Sequence, residues 1–307
     1  MIPSFFRDAD PSGLYIERAD VVTREARAHR TAPSRDDREK VAAFGIDAQV
    51  AFCTPGASLF VPGAPDDNAR ALRFLYGNLE RITTLALSLD THRVFQIFHP
   101  AWWQNEAGQP PAPLTAITHA DVASGKWRAT RSPEQSEAYV RKLEEGGRYV
   151  LTIWPYHAML GGLSHALVPA MMELSMFHSI ARDTQTVLVQ KGGEPLTESY
   201  SVLSPEVGGS FNEDLFRLLM HHDRVYVFGQ AKSHCVLSTL RDLMARIEKE
   251  DRGLAKKVHV LVDAMSPVPA PPLDPLPKGL DFPAIAEEGL RDLQSKGMRL
   301  VRTTDGM

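Results

Sequence analysis

The sequence predicts a three-layer α/β/α sandwich built on a mainly parallel, Rossmann-like sheet. Short apolar runs of strand length recur along the chain, helical patterns separate most of them, and no internal repeat or low-complexity tract intervenes. At 307 residues, 43% hydrophobic and 23% charged, the chain can bury a core on both faces of such a sheet.

Taken in order, residues 1–40 read as an N-terminal arm, because charge dominates them (RDDREK at 35–40) and apolar periodicity is weak. The arm is expected to lie on the surface or on a partner subunit. A single domain then occupies 41–307. Its strand candidates are VAAFGID (41–47), RVFQIF (93–98), YVLTIW (149–154), TVLVQK (186–191), RVYVFG (224–229) and VHVLVD (258–263), continuous apolar runs that suit strands covered on both faces. Helical patterns fall at 66–87, 166–181, 211–221 and 234–249. In the last, Val236, Leu237, Leu240, Leu243, Met244 and Ile247 share one face. Two stretches break the alternation. Residues 101–147 exceed what a crossover helix needs and read as an insertion near the site; residues 266–283 hold seven prolines and read as an ordered loop or oligomer contact.

Composition narrows the function. Thirty-four basic and 38 acidic residues leave a formal charge of −4, too little field to attract a nucleic-acid backbone or an anionic membrane. The most apolar stretch, Leu163 to Phe177, is interrupted by His165 and Glu173, so no membrane span is expected. The start MIPSFFRDADPSG lacks a basic segment followed by an apolar one, which gives a cytoplasmic expectation. Two cysteines, Cys53 and Cys235, are too few for a disulfide scaffold or a Cys-rich zinc site.

Ligands of a parallel sheet bind at the carboxyl ends of its strands, so the residues that follow each run matter most. Asp47 closes the first run, Lys191 the fourth, and Cys235 stands in the first turn of the helix after the fifth. Singly, these read as a turn or cap carboxylate, a solvent-reaching lysine and an inert core thiol. Together they can converge at one sheet edge. A thiol in a helix's first turn also faces unpaired N–H groups, which favours thiolate.

At this point a resemblance becomes specific. Asp47-x-Gln49-x-x-Phe52, Trp154-Pro155-x-His157, Lys191-Gly192 followed by Ser199-Tyr200-Ser201, and Gly229-x-Ala231-x-x-x-Cys235-Val236-x-x-Thr239 occur in order. The pattern resembles nicotinamidase and isochorismatase-like cysteine hydrolases over about residues 41–268. The resemblance implies an isochorismatase-like fold and a catalytic triad of Asp47, Lys191 and Cys235. It also implies an oxyanion hole from the backbone N–H groups of Ala231 and Cys235, with a cis peptide at Gln230–Ala231. Phe52 and Trp154 would pack on a substrate ring; Cys53, next to Phe52 but with neither a partner lysine nor a helix-end position, reads as structural.

The implied reaction is hydrolysis of a small carboxamide to acid and ammonia through a thioester. The family's divalent metal, zinc or iron, is held through an Asp-x-His step ending the second strand and the histidine of Trp-Pro-x-His. Matched to Ile97-Phe98-His99 and His157, that step has isoleucine for its carboxylate. His99, His157 and Glu198 are then left as the ligand set, and no cofactor is expected to be required. Nicotinamide is the leading substrate, although Ile97 and the insertion argue for a different or bulkier amide. The expected partners are this small molecule and further copies of the chain in a homo-oligomer. The competing readings are an isochorismatase-type vinyl-ether hydrolase and a catalytically silent binding or scaffold member.

Overall fold

The computed structural model describes residues 2–8, 10–146, 150–272, 274–276 and 278–307. Met1 and Ala9 of the arm, Gly147 of the insertion, Tyr149 of a strand candidate, and Leu273 and Pro277 of the proline-rich loop lie outside the described residues. Six parallel strands make the central sheet: β1 (Val41–Ile46), β2 (Thr84–Asp90), β3 (Val187–Lys191), β4 (Arg224–Gly229), β5 (Val258–Leu261) and β6 (Arg299–Val301). Their order is β6-β5-β4-β1-β2-β3, so the chain builds outward from β1 on one side and then returns to build on the other. The direction reverses at β1, which is where such sheets open a crevice.

The longer helices are, in chain order, α1 (Ala19–Ala28), α2 (Ala64–Gly77), α3 (Pro133–Gly146), α4 (Pro169–Ala181), α5 (Glu213–His221), α6 (Leu237–Glu250) and α7 (Phe282–Ser295). Strand alternation divides the core between two layers of them. Val41 and Ala43 of β1 join the apolar residues of α1, α2 and α4, while Ala42, Phe44 and Ile46 join those of α5, α6 and α7. The arm contributes to the first layer, where Phe5, Phe6, Val22 and Ala26 are buried. Among the described residues no helix is long and apolar enough to cross a membrane.

The second strand is where structure and sequence differ most. The sequence places a strand at 93–98 and a helix through 87; the chain instead ends α2 at Gly77 and forms β2 from TLALSLD, Thr84–Asp90. Leucine and alanine are good helix formers, but Leu85, Leu87 and Leu89 alternate with Thr84, Ala86 and Ser88, and pairing between β1 and β3 decides the outcome. The apolar character of 93–98 serves a satellite core. Ile97 and Phe98 bury there with Trp102, Trp103, Tyr139, Val140 and Leu143 of the insertion, while Val94 and Phe95 stay exposed. The run at 149–154 contributes only Leu151–Thr152, paired with Ala116–Ile117 outside the central sheet. β6 is an edge strand that the sequence reading lacks.

Candidate active site

The three strand-end residues meet. Asp47 follows β1 with φ of 48°, a left-handed conformation that aspartate tolerates better than most side chains. Ser88 of β2 fixes it there: its Oγ accepts from the Asp47 N–H at 3.1 Å and donates to Asp47 Oδ1 at 2.6 Å. Two residues on, the Gln49 amide joins β1's exit to β2's end, donating to the Asp90 carbonyl at 2.9 Å and accepting from the Asp90 N–H at 2.7 Å. Lys191 ends β3 in register with Asp90. Its Nζ lies 3.0 Å from Asp47 Oδ2, 2.8 Å from Asp90 Oδ1, 3.0 Å from the Ser199 carbonyl and 3.6 Å from Cys235 Sγ.

Cys235 sits in a π-helical turn, Lys232–Val236, that runs into α6. The turn follows Gly229, whose φ of 120° and close approach to the Ile46 carbonyl leave no room for a Cβ. The Gln230–Ala231 peptide is cis.

The electrostatics correct one expectation. Burial raises the Cys235 thiol well above its ordinary value, and the carboxylates of Asp47 and Asp90 add to that effect against the pull of Lys191. Burial thus works against the thiolate that a helix N-terminus favours, with Lys191 on the thiolate's side. Burial likewise raises Asp47, with Asp90 adding to it and Lys191 opposing, so this carboxylate is a stronger base than usual. Burial works against the Lys191 charge, but Asp47, Asp90 and Cys235 outweigh it and hold the ammonium. Cys53 is pushed up to about 12 by burial and keeps a structural place among core residues.

The ligand set read from sequence also changes. β2 ends in Asp90-Thr91-His92, so the Asp-x-His step lies here and not at Ile97-Phe98-His99. Asp90, His92 and His157 each offer a ligand atom within 4.8 Å of the others. His92 Nδ1 faces the Gly192 carbonyl at 3.1 Å, and His157 Nδ1 faces the Pro155 carbonyl at 2.7 Å. With each Nδ1 donating to its carbonyl, both Nε2 atoms face Asp90 Oδ2, at 2.7 Å and 3.5 Å, as donors to the carboxylate when protonated and as acceptors when not. With both rings neutral, three acceptors converging on one point fit a cation. His99 stands beside them with its ring 5.8 Å from each of the other two; its Nδ1 faces the Arg93 carbonyl and its buried Nε2 has no hydrogen-bond partner among the described residues. Burial and the neighbouring imidazoles push His99 down to about 3.

Glu198 is engaged elsewhere. It accepts from the Tyr139 hydroxyl at 3.0 Å and the Tyr200 hydroxyl at 2.7 Å, and burial pushes its carboxyl up to about 8. Tyr200 in turn accepts from Trp154 Nε1 at 3.0 Å. Lys191, Cys235, Asp90, His92, His157 and Glu198 all line one cavity of about 340 Å³, together with Ala231, Phe52 and Trp154. Sequence reasoning missed Asp90, His92 and Ser88. Asp-x-His at the end of a run with period two was the available signal for the first two; Ser88 left none.

No protein-family model matches the chain, and no curated protein sequence does. Solved structures do. A nicotinamidase/pyrazinamidase of Acinetobacter baumanii is 19% identical with a TM-score of 0.55, over 88% of this chain and 99% of that one. Yeast nicotinamidase is 16% identical with a TM-score of 0.56, over 85% and 99%. A pyrazinamidase of Pyrococcus horikoshii in complex with zinc is 19% identical with a TM-score of 0.50, over 85% and 98%. The chain has the isochorismatase-like α/β fold of these hydrolases.

Proposed function

We propose that this chain is a cysteine hydrolase of the nicotinamidase and isochorismatase-like family, cleaving a small carboxamide to acid and ammonia. The observation that carries this reading is the Lys191 ammonium, 3.0 Å from Asp47 and 3.6 Å from Cys235 Sγ at the wall of the cavity. Cys235 Sγ attacks the amide carbon as its proton passes to Asp47, whose raised basicity suits it to receive one. Lys191 balances the charge on sulfur as it develops. The oxyanion is met by the N–H groups of Ala231 and Cys235. When the tetrahedral adduct collapses, the C–N bond breaks and ammonia leaves with the proton that Asp47 held. A water that gives its proton to Asp47 then opens the thioester, releasing the acid and restoring the thiol. Asp90, His92 and His157, with His99 beside them, are the residues that would hold zinc or iron, which when bound supplies Lewis-acid charge to the substrate.

The vinyl-ether alternative is weaker on charge grounds. An anionic substrate would need a cation to receive it, and Lys191, the sole lysine or arginine among the described lining residues, is already committed to Asp47 and Asp90.

Ammonia release from a panel of carboxamides, with mass analysis of quenched enzyme, tests the reading. An acyl adduct on Cys235 that disappears in Cys235→Ala along with turnover is expected; unchanged turnover in that variant overturns covalent catalysis. Elemental analysis tests the metal set. Near-stoichiometric zinc or iron in the wild type, lost in His92→Ala and retained in Glu198→Gln, is expected.

A further inference from the structure

We propose that the acyl body of the substrate is uncharged, apolar and larger than one aromatic ring, and that Leu114, Val268 and Pro269 read it. This inference rests on the amidase reading of the same site.

The reacting end of the cavity needs to hold only a carboxamide, between Cys235, Ala231 and Lys191. A volume of about 340 Å³ is in the range of pockets that enclose drug-sized ligands, beyond what a single ring fills. The remaining wall is apolar and incompletely covered. Leu114 is 65% exposed although it lines the cavity, Pro269 is exposed, and Phe60 and Val268 are half-buried. Apolar side chains left open at the mouth of a cavity gain burial from a ligand that reaches them, and a one-ring amide seated on Cys235 would leave them wet.

The two outer elements are also held in place. Leu114 belongs to the inserted segment, and its N–H donates to the Ile153 carbonyl next to Trp154. Val268 belongs to the proline-rich loop. Its N–H donates to Ser233 Oγ at 3.1 Å, and the Lys232 N–H donates to the Ser266 carbonyl at 2.8 Å, so the loop is tied to the turn that carries Cys235. The wall that meets the acyl body therefore has a fixed distance to the nucleophile.

Charge sets the rest of the preference. A carboxylate on the acyl body would find no lysine or arginine besides Lys191 among the described lining residues, and both Lys191 and the candidate metal ligands lie at the reacting end with Asp90. A cation on the acyl body would find Asp90 already paired with Lys191 and Glu198 already accepting from Tyr139 and Tyr200.

Calorimetry on Cys235→Ala, which keeps the cavity but cannot turn over, compares naphthamide, nicotinamide and 3-carbamoylbenzoate. Naphthamide is expected to bind at least about tenfold tighter than nicotinamide, and the anion more weakly than either. Nicotinamide binding as tightly as naphthamide, or the anion binding best, overturns the proposal. KM values of the wild type for the same amides provide a second ranking if the variant does not fold. Leu114→Ser is expected to lower the naphthamide-to-nicotinamide ratio of kcat/KM about tenfold, and an unchanged ratio removes Leu114 from the assignment. Should the wild type release ammonia from none of them while Cys235→Ala ranks them as expected, the amidase reading falls and the pocket's preference stands.

Discussion

Two buried carboxylates of this protein each face a basic side chain, and they are wired in opposite ways. Glu173 on α4, 1% exposed, takes four donors: the Arg18 N–H and Nε at one oxygen, the Arg18 Nη2 and the Tyr15 hydroxyl at the other. Burial pushes its pKa up, but those bonds win and hold it below the usual range. Asp47 takes one hydroxyl from Ser88 and must share Lys191 with Asp90, and it is held above the usual range. A cation given wholly to one carboxylate fastens the arm to the domain. A cation divided between two carboxylates and a thiol leaves a base ready to accept a proton. In the proposed reading, the degree of satisfaction separates an anchor from a reactive centre.

The sharpest way to break that contrast is to remove the reactive carboxylate. Asp47→Asn should lower single-turnover ammonia release by more than about a thousandfold, and adding Cys235→Ala should cost little more, because the groups act as a unit. Its melting temperature should stay level or rise, since two carboxylates no longer compete for one lysine. A large loss of stability in Asp47→Asn would erase the distinction.

Arg18→Ala should do the reverse. It leaves Glu173 buried without its guanidinium, and denaturant titration should show a loss of about 2–3 kcal/mol, with kcat/KM changed by less than about twofold. A loss of activity without loss of stability would mean that the arm reports to the site.

Glu198 offers the smallest and finest test, because it is buried like Glu173 yet sits at the cavity like Asp47. Its folded pKa of about 8 lies above the ordinary value of 4.5, so folding takes up a proton between those limits. The stability gained from the protonated form is complete below about 4.5 and fades as pH rises through about 8. Glu198→Gln should flatten that decline in melting temperature measured from pH 5 to 9, while an unchanged slope would place the titration elsewhere.

How far the sequence reveals the site follows from how local each signal is. Asp47, Lys191 and Cys235 were readable because each stands at or shortly after an apolar run inside a recognisable string, and the structure places Asp47 and Cys235 within reach of the Lys191 ammonium. Asp90 and His92 were hidden because four of the seven residues of TLALSLD are leucine or alanine, which favour helices, and pairing with β1 and β3 makes it a strand. With β2 misplaced, the Asp-x-His step slid to Ile97-Phe98-His99. Pairings such as Tyr139 with Glu198, or Arg18 with Glu173, join distant parts of the chain and have no local pattern at all. The arm's Phe5 and Phe6 enter the core without any periodicity that could announce it.

The position of Lys191 in the sheet has one more consequence. It terminates β3, one of the two edge strands, which among the described residues has a strand neighbour on one side only. Strands of that kind open before the centre of a sheet does, through fluctuations that leave most of the fold intact. A molecule in which β3 has peeled from β2 would keep β1 and β4, and with them Asp47 and Cys235, yet lose the charge that holds them in tune. Catalytic failure on warming should therefore precede the melting of the core, and amide exchange along Val187–Lys191 should track activity more closely than the far-ultraviolet signal of the helices.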